Sequence, residues 1–293
     1  MVYDVQVPPT ATALSAVDRY VAVAEQAVAE TGAWLRRRGR PRTPAASALE
    51  YGQRWSAQAR GRRWQGATSL SEAVRLSSYG DSSLRALMEF QPVRIPAPDY
   101  FGWRAAKLAA ILGAHGARNE RVTELGCGLG KNLLALAHEG FSQLCGLDVS
   151  PAAVAATREQ LAAFGVASVV EQADILDLGE HRQLVGGSTV FTNYVLEQFP
   201  RQLAPILRRL AELGPRQVIH IEPCPDRLPR RRAWERLPSS WHARAHHYQL
   251  ALIDTLRRLE ERGVLTVLEV TPLGFSPYLF HSPVLLRWEP HTP

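Results

Sequence analysis

The sequence predicts an α/β fold, in which helices flank a largely parallel sheet, preceded by an all-helical N-terminal extension. From about residue 120 onward, short apolar strands alternate with helical segments, which is the pattern of consecutive βα units. Before residue 95, apolar residues instead recur every three or four positions, which is the helical period. We therefore divide the 293-residue chain into a helical extension, residues 1–95, and an α/β domain, residues 96–293.

The extension is predicted to hold four helices. They cover residues 11–38, residues 45–60, a short segment after Ser69, and residues 81–90. Ser69 and Glu72 have the spacing of a capping box, and Asp81 is a candidate cap for the fourth helix. The prolines within residues 91–98 then predict an extended connection to the α/β domain, because proline disfavours helical backbone in the residue before it.

A glycine-rich turn follows the first predicted strand of the α/β domain. The segment Val122–Gly130 reads V-T-E-L-G-C-G-L-G, with three glycines at alternate positions. Glycine lets a backbone approach a ligand closely, because it has no Cβ. The segment resembles motif I, E/D-x-G-x-G-x-G, of the class I S-adenosylmethionine (SAM) dependent methyltransferases. The matched positions are Glu124, Gly126, Gly128 and Gly130.

Two later strands also end in acids where this family holds its cofactor. Asp148 follows Gly126 by 22 residues, close to the spacing of about 20 at which an acid accepts from ribose hydroxyls. The resemblance implies that Asp174 accepts from the adenine amino group and that Ile175 packs on the ring. It implies a SAM site formed by Glu124, Gly126, Cys127, Gly128, Gly130, Asp148, Val149, Asp174, Ile175 and Asn193.

Candidate catalytic residues follow the fourth and fifth strands and occupy a late helix, predicted from residue 241 to residue 262 after an irregular insertion that begins at residue 223. Because SAM carries an activated methyl group, the protein must chiefly position the acceptor, and a base is needed only if the acceptor is protonated. The catalytic candidates are Asn193, Tyr194, Glu222, His246 and His247. Glu197 and His242 are further residues that could face the same cleft, although Glu197 could instead brace its turn. His220, inside a strand, is expected in the core.

The resemblance implies a seven-stranded Rossmann-like methyltransferase sheet, with the seventh strand antiparallel between the fifth and sixth. The expected function is methyl transfer from SAM to a small molecule, in bacterial secondary metabolism. Two alternatives stay open: a peptide or RNA acceptor, and a SAM-binding protein without catalysis. The extension is expected to act as a lid or as a homodimer contact, or simply to pack on the sheet.

Composition excludes several other classes of protein. The net charge is +6, and almost all of the positive charge is carried by arginine. The arginines are scattered and have no interleaved aromatic residues, which disfavours a nucleic-acid partner. The segment Thr192-Asn-Tyr-Val also departs from the Asn/Asp-Pro-Pro-aromatic signature of nucleobase-methylating enzymes. No apolar run approaches the ~20 residues of a membrane span, and no signal peptide is recognised, so a cytoplasmic location is expected. Neither a disulfide nor a metal site is predicted from the three cysteines and nine histidines.

Overall fold

A computed structural model describes residues 3–37, 43–60, 66–76, 82–225 and 233–291 of the chain. The N-terminal part holds β1 (Thr12–Ala13), α1 (Ala16–Arg37), α2 (Pro44–Arg60), α3 (Leu70–Arg75), β2 (Ser83–Met88) and β3 (Gln91–Pro96). The following elements are α4 (Ala97–Ala114), β4 (Arg121–Leu125), α5 (Lys131–His138), β5 (Gln143–Asp148), α6 (Pro151–Ala163), β6 (Ser168–Gln172), α7 (Arg182–Val185) and β7 (Thr189–Asn193). The last are α8 (Leu203–Leu213), β8 (Gln217–Pro223), α9 (Ala233–Ala245), α10 (Leu252–Glu261), β9 (Leu265–Pro272) and β10 (Pro283–Pro290).

The central sheet has seven strands in the order β6-β5-β4-β7-β8-β10-β9. Strands β4 to β8 pair in parallel, whereas β10 runs antiparallel to both β8 and β9. This arrangement confirms the predicted fold class, including the reversed last strand. One hydrophobic cluster, with side chains of α4 and α5, covers one face of the sheet, and a second, with α8 and α10, covers the other. None of the described helices has both the length and the apolar character to cross a membrane.

The N-terminal region is largely helical but not all-helical, so one predicted element is wrong. Helices α1, α2 and α3 form where they were predicted, and Ser69 caps α3 by accepting from the Glu72 N–H at 3.2 Å. In place of a fourth helix, β2 and β3 form an antiparallel hairpin. The Phe90 N–H donates to the Gly274 carbonyl at 2.8 Å, so contacts with a distant loop stabilise the hairpin. Asp81, the predicted cap, lies outside the described residues.

The late helical segment is also divided differently from the prediction. A single helix was expected from residue 241 to residue 262, after an irregular insertion from residue 223. Instead α9 begins at Ala233 and ends at Ala245, and α10 begins at Leu252. The side chain of Gln249 accepts from the Leu252 N–H at 2.9 Å and caps α10, which explains the separate start.

A buried chain of hydrogen bonds connects β10, β8 and β7. Trp288 donates its indole N–H to His220 Nε2 at 2.9 Å, so the proton of this neutral ring lies on Nδ1. Nδ1 then donates to the Thr192 hydroxyl at 2.9 Å, which donates to Glu222 Oε1 at 2.7 Å. Burial lowers the pKa of His220 to about 3, which keeps the ring neutral. His220 is therefore a core residue that joins three strands.

We expect Thr192→Val to lower the free energy of unfolding by about 2–4 kcal/mol, because both His220 and Glu222 lose a buried partner. Urea denaturation measures the loss. Thr266→Val in β9 is the control, since its hydroxyl lies on the surface and should cost less than about 0.5 kcal/mol. Equal losses for the two variants would show that the buried chain contributes nothing.

Candidate active site

A cavity of about 660 Å³ lies at the carboxyl ends of β4, β5 and β7. Ligands bind at this edge of open α/β sheets, because the loops that follow parallel strands converge there. Helices α1 and α2 of the N-terminal region form the opposite wall, and the loop before β10 closes one end. The cavity is therefore bounded by segments from both ends of the chain.

The glycines of the turn after β4 are required for different reasons. All three have positive φ, between 53° and 72°. A Cβ on Gly126 would lie 2.6 Å from Val195, and one on Gly130 would lie 2.5 Å from Thr157. Gly130 does not line the cavity, in contrast to its predicted role in binding the cofactor, so its requirement is packing against α6. Gly128 does line the cavity and is covered by Trp55 of α2, 3.1 Å from an added Cβ.

Asp148 connects the glycine-rich turn to the start of α6. Its Oδ2 accepts from the Gly128 N–H at 2.8 Å and its Oδ1 from the Ser150 N–H at 2.9 Å. Burial raises the pKa of Asp148 above its usual value, although these two N–H groups oppose the shift. Asp148 lines the cavity, and each of its carboxylate oxygens can accept a further hydrogen bond from a ligand there.

A polar chain of three residues lines another part of the cavity. Arg104 donates to Asn132 Oδ1 at 3.1 Å, and Asn132 donates to Glu124 Oε1 at 2.5 Å. The other carboxyl oxygen, Glu124 Oε2, is buried without a hydrogen-bond partner. Burial raises the pKa of Glu124 to about 8, partly offset by Asn132 and Arg104. Such a carboxyl group is suited to a bound cation. Neither Asn132 nor Arg104 was predicted from the sequence as a site residue.

The remaining residues predicted to bind the cofactor also line the cavity. They are Gly126, Cys127, Val149, Asp174, Ile175 and Asn193. Ile175 is buried, whereas Asp174 is exposed and accepts from the Leu176 N–H at 2.9 Å. Asn193 Oδ1 is buried without a partner, which leaves an acceptor beside the cavity. The structure thus brings together nine of the ten predicted positions, all except Gly130.

Three of the five predicted catalytic residues do not line the cavity: Glu222, His246 and His247. The carboxylate of Glu222 accepts from the Val195 N–H at 2.9 Å and from Thr192, so it braces the turn after β7. Burial raises its pKa to about 8. His247, with φ of 54°, lies beyond the end of α9, where its ring contacts the Arg37 carbonyl at 3.3 Å. Asn193 and Tyr194 do line the cavity.

Glu197 and His281 form a buried pair in the cavity wall. His281 Nε2 lies 2.9 Å from Glu197 Oε2, and the Tyr194 hydroxyl donates to the His281 carbonyl at 2.8 Å. Burial lowers the pKa of His281 to about 4. His281 was not predicted from the sequence as a site residue. The reversed direction of β10 was the available signal, since it places the start of that strand beside the end of β8, with Pro283 opposite Pro223.

The fold and this site define the class of protein: a Rossmann-like methyltransferase with a reversed seventh strand and a glycine-rich turn over a cavity. A family model described as a methyltransferase domain matches residues 122–214. Residues 122–214 therefore belong to a methyltransferase domain, and the enzyme uses SAM as its cofactor. No curated protein matches the chain significantly.

Several solved structures are similar to this chain at low sequence identity. Magnesium protoporphyrin IX methyltransferase from Synechocystis PCC 6803, with bound S-adenosylhomocysteine, is 18% identical, with 64% of this chain and 81% of that chain covered and a TM-score of 0.48. Geranyl diphosphate methyltransferase, in complex with geranyl diphosphate and sinefungin, is 11% identical, with 66% of this chain and 81% of that chain covered and a TM-score of 0.48. A structure reported for the conversion of a disulfide bond into a thioacetal group during echinomycin biosynthesis is 21% identical. It covers 62% of this chain and 80% of that chain, with a TM-score of 0.44.

We expect Gly130→Ala to lower the free energy of unfolding by about 2–4 kcal/mol, since it adds a steric clash to the strain of a positive φ. Gly165→Ala is a matched control, because Gly165 also has positive φ, 66°, but nothing lies within 4 Å of an added Cβ. That variant should lose only about 1–2 kcal/mol. Denaturation of both gives the contribution of the Thr157 contact, and identical losses would disprove it.

Proposed function

We propose that the methyl acceptor is a small molecule bound inside the cavity, and that the reaction belongs to bacterial secondary metabolism. The observation that carries this proposal is the cover formed by α1 and α2. Trp55 of α2 lies over Gly128, and Glu30 of α1 contacts His242 of α9 at 2.6 Å. A covered cavity of about 660 Å³ has the size of small-molecule sites. The arginine-rich, lysine-poor composition supports a bacterial origin.

The lid role that we propose for residues 1–95 follows from the same contacts. Helix α1 packs along α9, and α2 packs against α6. Residues of α1 and α2 that line the cavity include Glu30, Tyr51, Arg54 and Trp55. A long RNA or a folded protein would have to displace these helices to reach the methyl group, whereas a small molecule needs only transient opening.

The residues present fit SAM at its ribose hydroxyls, its ammonium group and its carboxylate. Asp148 would accept from the ribose hydroxyls, and the unpartnered Glu124 Oε2 would accept from the ammonium group. Arg104 would pair with the carboxylate of the methionine portion, and Ile175 would pack on the adenine. When bound, SAM supplies a methyl group already activated on a sulfonium. The buried acceptor atoms support this assignment, because an unpaired buried carboxyl oxygen is costly without a cationic ligand.

We propose that Glu197 and His281 orient the acceptor and take its proton. Nε2–H of His281 donates to the Glu197 carboxylate, so Nδ1 of the ring is left as an acceptor. A carboxylate that orients an imidazole in this way is a recurring base arrangement. The wall nearby is aromatic, with Tyr194, Tyr248 and Phe280. These surroundings suit a planar acceptor that carries a hydroxyl or carboxyl group.

The proposed function is tested with SAM labelled in its methyl group. The full-length protein is incubated separately with a panel of small phenols, carboxylic acids and amines, with total RNA, and with a peptide pool. We expect label in one class of small molecule and none in RNA or peptides. Transfer to RNA or peptide alone would overturn the small-molecule proposal. Binding of SAM without transfer to any of the three would favour the non-catalytic alternative.

We expect Asp148→Ala to weaken S-adenosylhomocysteine binding by ~1.5–3 kcal/mol, roughly 10- to 150-fold, because charge-assisted hydrogen bonds to the ribose are lost. Isothermal titration calorimetry measures the dissociation constant. Asp177→Ala is the control, since Asp177 lies in the loop after β6 and does not line the cavity. An unchanged constant in folded Asp148→Ala would remove Asp148 from the cofactor site.

We expect Glu197→Gln and His281→Ala to lower kcat by about 10²–10⁴-fold with the acceptor found in the labelling experiment, since proton transfer contributes this much. The dissociation constant of S-adenosylhomocysteine should stay unchanged, because neither residue is assigned to the cofactor. His138→Ala, an exposed position of α5, should behave as wild type. Near wild-type turnover in both test variants would leave positioning of the acceptor as the whole mechanism.

A further inference from the structure

Three metal-ligating side chains meet where α1 packs on α9. Glu30 Oε1 lies 2.6 Å from His242 Nδ1, and Glu30 Oε2 lies 3.1 Å from His246 Nε2. One donor atom from each residue lies within 4.8 Å of the others. Glu30 is only 4% exposed, so its carboxylate is held in the interior of the molecule.

The spacing in the sequence is that of a chelating pair. His242-Ala-Arg-Ala-His246 puts two imidazoles four residues apart, on one face of α9, as in the helical zinc motif H-E-x-x-H. The ring centroids are 4.5 Å apart. Glu30 comes from a helix more than 200 residues away in the sequence, so no metal site is predicted from local spacing.

The contacts of Glu30 are not fully explained by hydrogen bonds. Oε1 accepts from the Gln26 amide and contacts His242. Oε2 is buried without a hydrogen bond, although His246 Nε2 lies 3.1 Å away. A cation bound between the oxygen and the nitrogen would accept a lone pair from each atom.

We propose that Glu30, His242 and His246 bind a divalent transition-metal ion of the zinc type. Two imidazoles and one carboxylate form the ligand set of zinc sites that keep an open coordination position. Glu30 and His242 both line the cavity, so an ion held by them would lie at the cavity wall. The ion would link the lid helix α1 to α9. If the proposed function holds, such an ion would supply Lewis-acid chemistry for an oxygen of the acceptor.

The test uses the full-length protein freed of metal with a chelator, then titrated with Zn²⁺ alone and with Co²⁺ alone. Calorimetry should give one ion per chain, and Co²⁺ should develop visible absorption from nitrogen and oxygen coordination. We expect Glu30→Gln and His246→Ala to weaken Zn²⁺ binding by about tenfold or more, since each removes one ligand. His138→Ala, on the surface of α5, should bind as wild type.

Folding of the variants is checked by circular dichroism and by their affinity for S-adenosylhomocysteine, which should not change. No binding of Zn²⁺ or Co²⁺ by the wild-type protein would overturn the proposal. Equal Zn²⁺ affinity in wild type and in both folded variants would also overturn it and leave the cluster as a packing contact between two helices. These readouts do not depend on methyl transfer, so failure of the metal site is distinct from failure of the proposed function.

Discussion

The cavity depends on the hydrogen bonds that connect the glycine-rich turn to the end of β5. The N–H groups of Gly126 and Cys127 donate to the Leu147 carbonyl at 2.7 and 3.1 Å, and that of Gly128 donates to Asp148. These bonds hold the turn against the neighbouring strand, where Gly126, Cys127 and Gly128 line the cavity. Positive φ at each glycine makes this path possible, and Cβ atoms at positions 126 and 130 would displace Val195 and Thr157.

The opposite wall depends on topology rather than on local sequence. Because β10 is antiparallel, the loop before it reaches the same edge as the ends of β7 and β8, and His281 meets Glu197. Glu30 brings α1 to α9 from the other end of the chain. The side of the cavity that we propose for the acceptor is thus assembled from three distant segments, whereas the side proposed for the cofactor comes from consecutive βα units. This difference explains how one fold can keep a common cofactor site while the acceptor site varies from protein to protein.

The same difference governs what the sequence could predict. The strands, the glycine-rich turn and the residues around it follow from local patterns, and nine of ten cofactor positions line the cavity. Strand β2 was missed because its apolar residues fit a helix as well as a strand, and the loop that the hairpin contacts, at Gly274 and Ser276, is far away in the sequence. Glu30, Arg104 and His281 have no local signal, since their neighbours in space are far away in sequence.

Glu222 shows how a correct position at a strand end can still mislead. It lies two residues after His220 in β8, and side chains two apart share a face of a strand. Both bond to Thr192, so the expectation of a core histidine already implied a core glutamate. Burial raises the pKa of both Glu222 and Glu124 to about 8, yet only Glu124 lines the cavity. A perturbed pKa therefore reports burial, and the direction of the side chain decides whether the group can meet a ligand.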